Sequence, residues 1–89
     1  GPLLKDTLLS VVISCPDHPE ATQLSKRLPG SMTVQKLKGL LRRVHKVDSS
    51  RQRLSYLDSS RNIEIKMDDD LKQLLFFAIQ SGDTILLRW

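Results

Sequence analysis

Apolar positions along this 89-residue chain change their period several times, and each change marks a structural element. Residues 8–15 (Leu8 to Cys15) are dense in β-branched side chains, Val11, Val12 and Ile13, which suit a pleated strand. Cys15-Pro16-Asp17-His18-Pro19 interrupts that run. Its two prolines exclude regular structure, and Asp17 suits turn hydrogen bonding. Residues 21–28 carry a weaker apolar signal, Ala21, Leu24 and Leu28. That fits a second, edge strand with one solvated face, antiparallel to the first. Pro29-Gly30 then reverses the chain.

Beyond Thr33 the period becomes helical. Val34, Leu37, Leu41 and Val44 recur three or four residues apart, which predicts one buried stripe holding all four. Lys36, Lys38, Arg42 and Arg43 project elsewhere. Thr33 is the expected N-cap, its hydroxyl accepting from an unpaired amide of the first turn. Gly39 costs the helix roughly 1 kcal/mol relative to alanine. It is either a site of close helix–sheet packing or a neutral surface position. The helix should fray near His45-Lys46, where basic residues complement the dipole.

Asp48 to Gln52 is a polar connection, and Arg53 to Leu57 a third strand with Leu54 and Tyr56 on one face. Residues 58–62 form a turn, and Ile63 to Lys66 a short fourth strand with Ile63 and Ile65 inward. Asp68-Asp69-Asp70 then precede a short helical turn over Leu71 to Leu75, whose amides the aspartates are suited to cap. Ser81-Gly82-Asp83 is a tight turn before a last strand, Thr84 to Trp89. The fold class is therefore α+β, a β-grasp roll. Its order is ββαββ, followed by a short helical turn and the last strand, with a mixed sheet and one main helix.

Eighty-nine residues support one hydrophobic core. Aromatic residues are few, so Leu, Ile and Val must supply most of it. The single cysteine, Cys15, has no disulfide partner and no companions for a zinc site, which favours a reducing, cytosolic or nuclear environment. No apolar run reaches the roughly 20 residues that span a bilayer, and no signal-peptide pattern opens the chain. Gly1-Pro2 reads as a tag remnant, with residues 1–6 a linker and 7–89 the domain. The net charge of +4 is moderate and polarised between the basic helix and the acidic run. Such a balance fits a protein partner at least as well as nucleic acid.

With that order established, the chain resembles ubiquitin and ubiquitin-like domains over nearly its whole length. The matching segments are Thr33-Val34-x-x-Leu37-Lys38-x-x-Leu41, Gln52-Arg53-Leu54 and Asp83-Thr84-Ile85-x-Leu87. The run from Leu28 to Leu41, with Gly82-Asp83 and Leu86 to Trp89, is similar to the ubiquitin-like domain of the tubulin-folding cofactor E family. The resemblance implies a non-catalytic, cytoplasmic and cytoskeleton-associated chaperone function in α-tubulin folding and in tubulin heterodimer assembly and dissociation. The implied partners are α-tubulin, sister tubulin-folding cofactors and a proteasomal ubiquitin receptor. One departure from ubiquitin is read directly: the chain stops at Arg88-Trp89 without a di-glycine ending, so the domain is expected not to be conjugated, and to be a monomer in isolation. Alignment through Arg53-Leu54 and Thr84-Ile85 puts Ser55 and Arg88 where ubiquitin has the isoleucine and valine of its apolar recognition patch. A hydroxyl and a guanidinium there are costly to bury against ordinary ubiquitin receptors.

Lys38, Arg42, Arg43, Arg53 and Arg88 are candidates for a basic docking surface that meets an acidic partner, such as a glutamate-rich tail. The same residues also fit a solvated face that maintains solubility. Trp89 is either an aromatic anchor for a partner or a ring that closes one end of the barrel. Of Phe76 and Phe77, one ring is expected in the core and the other at the surface. No catalytic residue, cofactor or metal ligand is expected. Cys15, His18 and His45 lack an orienting carboxylate or an oxyanion motif, and the Asp68–Asp70 spacing is not that of a calcium loop. Nucleic acid is disfavoured because no aromatic residue interleaves with the basic ones. The alternative is a Ras-associating type β-grasp module whose second strand, through Lys26 and Arg27, pairs with a small GTPase.

Overall fold

The computed structural model describes residues 7–89. The expected linker and tag remnant, residues 1–6, lies outside them. Strands β1 (Leu8–Ser14) and β2 (Leu24–Pro29) precede helix α1 (Val34–His45). Strands β3 (Arg53–Asp58), β4 (Ile63–Lys66) and β5 (Thr84–Arg88) follow, with 3-10 turns at Ser49–Arg51 and Leu74–Phe77. The strands form one mixed sheet in the order β2-β1-β5-β3-β4. β1 and β5 run parallel in its middle, and the other neighbours are antiparallel. This is the expected β-grasp: a single helix lies across the concave face of a curled sheet.

Alternation within each strand selects the core. Leu9, Val11 and Ile13 of β1, Leu54 and Tyr56 of β3, and Ile85 and Leu87 of β5 are buried against Val34, Leu37 and Leu41 of α1. Each large aliphatic side chain so buried contributes roughly 1.5–3 kcal/mol. The Tyr56 hydroxyl donates to the Phe77 carbonyl, which satisfies the ring's one polar atom. Gly82 (φ 95°) turns the chain into β5. At Gly30 a Cβ would lie 2.5 Å from Leu75 Cγ, so a side chain there would push the Leu75 side chain out of its place over β2.

At the helix start, Thr33 Oγ1 accepts from the Lys36 amide at 3.2 Å, as expected of an N-cap. The other end differs from expectation. Val44 is 42% exposed. At about 100° per residue, it lies about 80° round the helix from Val34, whereas His45 lies only about 20° away. His45 therefore occupies the inner stripe in its last turn and is half-buried.

Other details differ as well. β2 starts at Leu24 rather than Ala21, because Ala21 is still in the turn, its amide donating to His18 O. Ile63 is exposed: it pairs with Asp58 at the tip of the edge strand, so only Ile65 packs on the core. The helical turn spans Leu74–Phe77, not residues 71–75, and no side chain caps it. The last strand ends at Arg88, leaving Trp89 beyond it. Within the acidic run Asp69 Oδ1 does accept from the Leu71 amide at 3.1 Å, and the segment also serves α1: the Asp70 and Lys72 carbonyls accept from the Gln35 and Val34 amides at 3.0 and 2.9 Å. First-turn amides have no partner inside a helix, so this segment satisfies them.

Candidate interaction surfaces

Two separate regions hold the basic candidates. On the outer face of the sheet, Ser55 of β3 is 4% exposed and donates from Oγ to Glu64 of β4. Arg88 of β5 reaches both: Nη2 donates to Glu64 Oε1 at 3.1 Å, and Nη1 approaches Glu64 Oε2 and Ser55 Oγ. Such a fork on a carboxylate is a directional, charge-assisted arrangement. Hydrogen bonds from Arg88 and then Ser55 hold the Glu64 carboxyl below its usual range, and Glu64 pushes the Arg88 guanidinium up. Ser55 and Arg88, the two positions that the resemblance assigns to an apolar patch, are thus tied into a polar triad with Glu64.

Beside this triad runs a groove of about 480 Å³ whose lining includes Lys38, Gln52, Arg53, Lys66 and Arg88. Gln52 anchors its floor, donating from Nε2 to Lys38 O and Val47 O at 2.9 and 3.1 Å. Lys38 is only 13% exposed and pairs with Asp70 at 2.8 Å. Arg53 is exposed and stands opposite Arg88 across β3 and β5. The structure therefore brings Lys38, Arg53 and Arg88 together, but carboxylates already hold two of the three.

Arg42 and Arg43 lie elsewhere, at the C-terminal end of α1. There they bound a concavity of about 550 Å³ with Lys46, Asp48 and Arg51. Lys46 takes the left-handed backbone (φ 60°) that ends the helix, its amide donating to Arg42 O at 2.9 Å. The 3-10 turn that follows returns Arg51 to the same side. Lys46 and Arg51 were absent from the sequence-based set. Their signal was four basic residues within ten positions, spanning a helix end at which the chain had to turn back.

At the far end of β5, Trp89 is half-buried and stacks on His18 with centroids 3.8 Å apart and planes 6° from parallel. His45 tilts against the same ring at 6.2 Å, and its Nε2 lies 3.8 Å from Cys15 Sγ. Burial, and then the Glu20 charge, push the Cys15 thiol up, keeping it in the protonated form that is a poor nucleophile. Phe77 packs against the core, while Phe76 is exposed, edge-on to Phe77, with Lys72 Nζ 4.7 Å from its centroid. Among the described residues no three His, Cys, Asp or Glu side chains are grouped to hold a metal ion. No described helix is long and apolar enough to cross a membrane.

A mixed sheet grasping one helix defines the β-grasp class of domain. A family model described as ubiquitin-like domain matches residues 8–87, and the chain belongs to that family. Within it, the chain is similar to tubulin-specific chaperone E of Xenopus laevis: 47% identical over 87 residues, covering 97% of this chain and 17% of the relative. The chain thus spans about a sixth of the length of the curated relatives it matches. In three dimensions it is similar to the C-terminal ubiquitin-like domain of mouse tubulin-specific chaperone E. That match has a TM-score of 0.88 and 45% identity, covering 97% of this chain and 90% of the other. Tubulin-binding cofactor B of Trypanosoma brucei, at TM-score 0.79 and 17% identity over 92% and 94% of the two chains, shares the fold alone.

Proposed function

We propose that this domain is a non-catalytic protein-interaction module of a tubulin-folding chaperone cofactor, acting in α-tubulin folding and in the assembly and dissociation of tubulin heterodimers. The observation that carries this reading is the near-complete match to the ubiquitin-like domain of tubulin-specific chaperone E, at 45% identity and TM-score 0.88. The partners in this reading are α-tubulin and sister tubulin-folding cofactors, met as part of a longer protein in the cytoplasm, at the cytoskeleton. A proteasomal ubiquitin receptor is a further candidate. The Ser55–Glu64–Arg88 triad supports a mode of contact unlike that of ubiquitin, because an apolar receptor there would desolvate the charged Glu64 and Arg88 side chains.

The test is an amide-shift titration of the labelled domain with αβ-tubulin, each sister cofactor and a proteasomal ubiquitin receptor in turn. Shifts confined to one face with a tubulin-pathway protein are the expected result. Silence with all of them would reduce the domain to a spacer. Shifts confined to the exposed edge residues Lys26 and Arg27, seen with a small GTPase, would favour the Ras-associating reading instead.

A further inference from the structure

We infer that the concavity at the end of α1, bounded by Arg42, Arg43, Lys46 and Arg51, is the docking site for an acidic segment of a protein partner. This deepens the docking reading above by naming the surface and the chemistry it takes. Among the described cations elsewhere, Lys26, Arg27, Arg53 and Lys66 are exposed without an ion pair but are spread over β2, β3 and β4, and three others are matched by carboxylates. Lys38 meets Asp70, Arg88 meets Glu64, and Arg61 meets Asp58 at 2.9 Å. At the helix end, by contrast, four cations share one carboxylate, Asp48, and none of the four enters an ion pair among the described residues. Cations so placed repel one another, and an anionic partner relieves that repulsion as it binds.

The site is also held in shape before anything arrives. The left-handed turn at Lys46 and the hydrogen bonds from Gln52 to Lys38 O and Val47 O fix the chain on both sides of it. Fewer side chains and less backbone then need ordering on binding. The lining has no aromatic ring on which a nucleobase could stack, and no large apolar side chain to enter a bilayer. Of the anionic polymers, an acidic polypeptide suits it best.

The probe is a peptide of six glutamates flanked by glycines, titrated into the labelled domain beside a Gly/Ser peptide of equal length. The expected shifts centre on Arg42, Arg43, Lys46 and Arg51, occur with the acidic peptide only, and shrink steeply with added salt. Arg42→Glu with Arg51→Glu should weaken binding roughly tenfold or more, whereas Lys72→Glu, a cation elsewhere on the surface, should leave it unchanged. Lys46→Gly separates binding from folding. Glycine relieves the left-handed backbone, so Tm should rise while the peptide binds more weakly. Three results would overturn the site: no shifts with the glutamate peptide, shifts centred on the Arg53–Arg88 groove or on β2, or tighter binding at the same residues by a single-stranded oligonucleotide. Tubulin binding at another face would sink this site and leave the docking reading intact. Glutamate-peptide binding without any response to tubulin-pathway proteins would do the reverse.

Discussion

Arg88 and Arg42 both stand near the end of a regular element, and nothing in their immediate sequence separates them. Around Arg88 the sheet places Glu64 one strand beyond β3 and Asp17 on the β1–β2 turn, so the guanidinium is enclosed by carboxylates. Around Arg42 the helix and the returning chain place only more cations and Asp48. Charge in a sequence is therefore not charge available to a partner. Topology decides which basic residues are consumed inside the fold and which are left over.

The first way to break this contrast is to remove the consuming carboxylate. Asp70→Ala leaves the Lys38 ammonium, 13% exposed, without its partner. It should cost about 1–3 kcal/mol in urea denaturation, while Asp48→Ala in the cleft should change stability by less than about 0.5 kcal/mol. Equal losses would mean that the two regions do not differ. A smaller effect is expected for Glu64→Gln, about 0.5–1 kcal/mol, since that pair is more open to water.

Acid titration sharpens the same point. Hydrogen bonds from Ser60 and then Arg61 draw the Asp58 carboxyl down to about 2, and Glu64 is lowered as well. Carboxyls depressed in the folded state stabilise it fully above their unfolded values, near 4, and this contribution fades as the pH falls through the folded ones. Stability should therefore decline from about pH 5 towards pH 2. Asp58→Asn and Glu64→Gln should each flatten that decline, whereas Arg43→Ala should leave its slope unchanged. Comparable or smaller in size, and opposite in sign, is Gly39→Ala. A Cβ there meets nothing within 4 Å, so Gly39 is the surface position rather than the packing site. The change should stabilise α1 by about 0.5–1 kcal/mol, read as a rise in Tm.

Most of the architecture was legible because it is written in local periodicity. Val34, Leu37 and Leu41, the Thr33 cap and the alternation in β3 and β5 needed only neighbours along the chain. What escaped depended on distant residues. Val44 fits a three-and-four spacing on paper, but the drift of the helix and the half-buried His45 beside it decide which side chain turns inward. Asp68–Asp70 read as a cap for the turn that follows. Asp69 does cap the Leu71 amide, but the segment also folds back so that the Asp70 and Lys72 carbonyls cap α1 and Asp70 meets Lys38. The basic set was assembled correctly as to charge but not as to place. Lys38 and Arg88 have partners 32 and 24 positions away, and Lys46 and Arg51 join Arg42 only because the chain reverses after the helix.

The side-by-side arrangement of β1 and β5 has a consequence for how the chain matures. The two central strands are the first and last to be made, so the sheet closes only through the contact with the greatest loop-closure entropy in the domain. A polypeptide interrupted before Thr84 would leave the inner edges of β1 and β3 unpaired, as templates for aggregation. Synthesis must therefore reach the final strand before any of the sheet is safe from self-association.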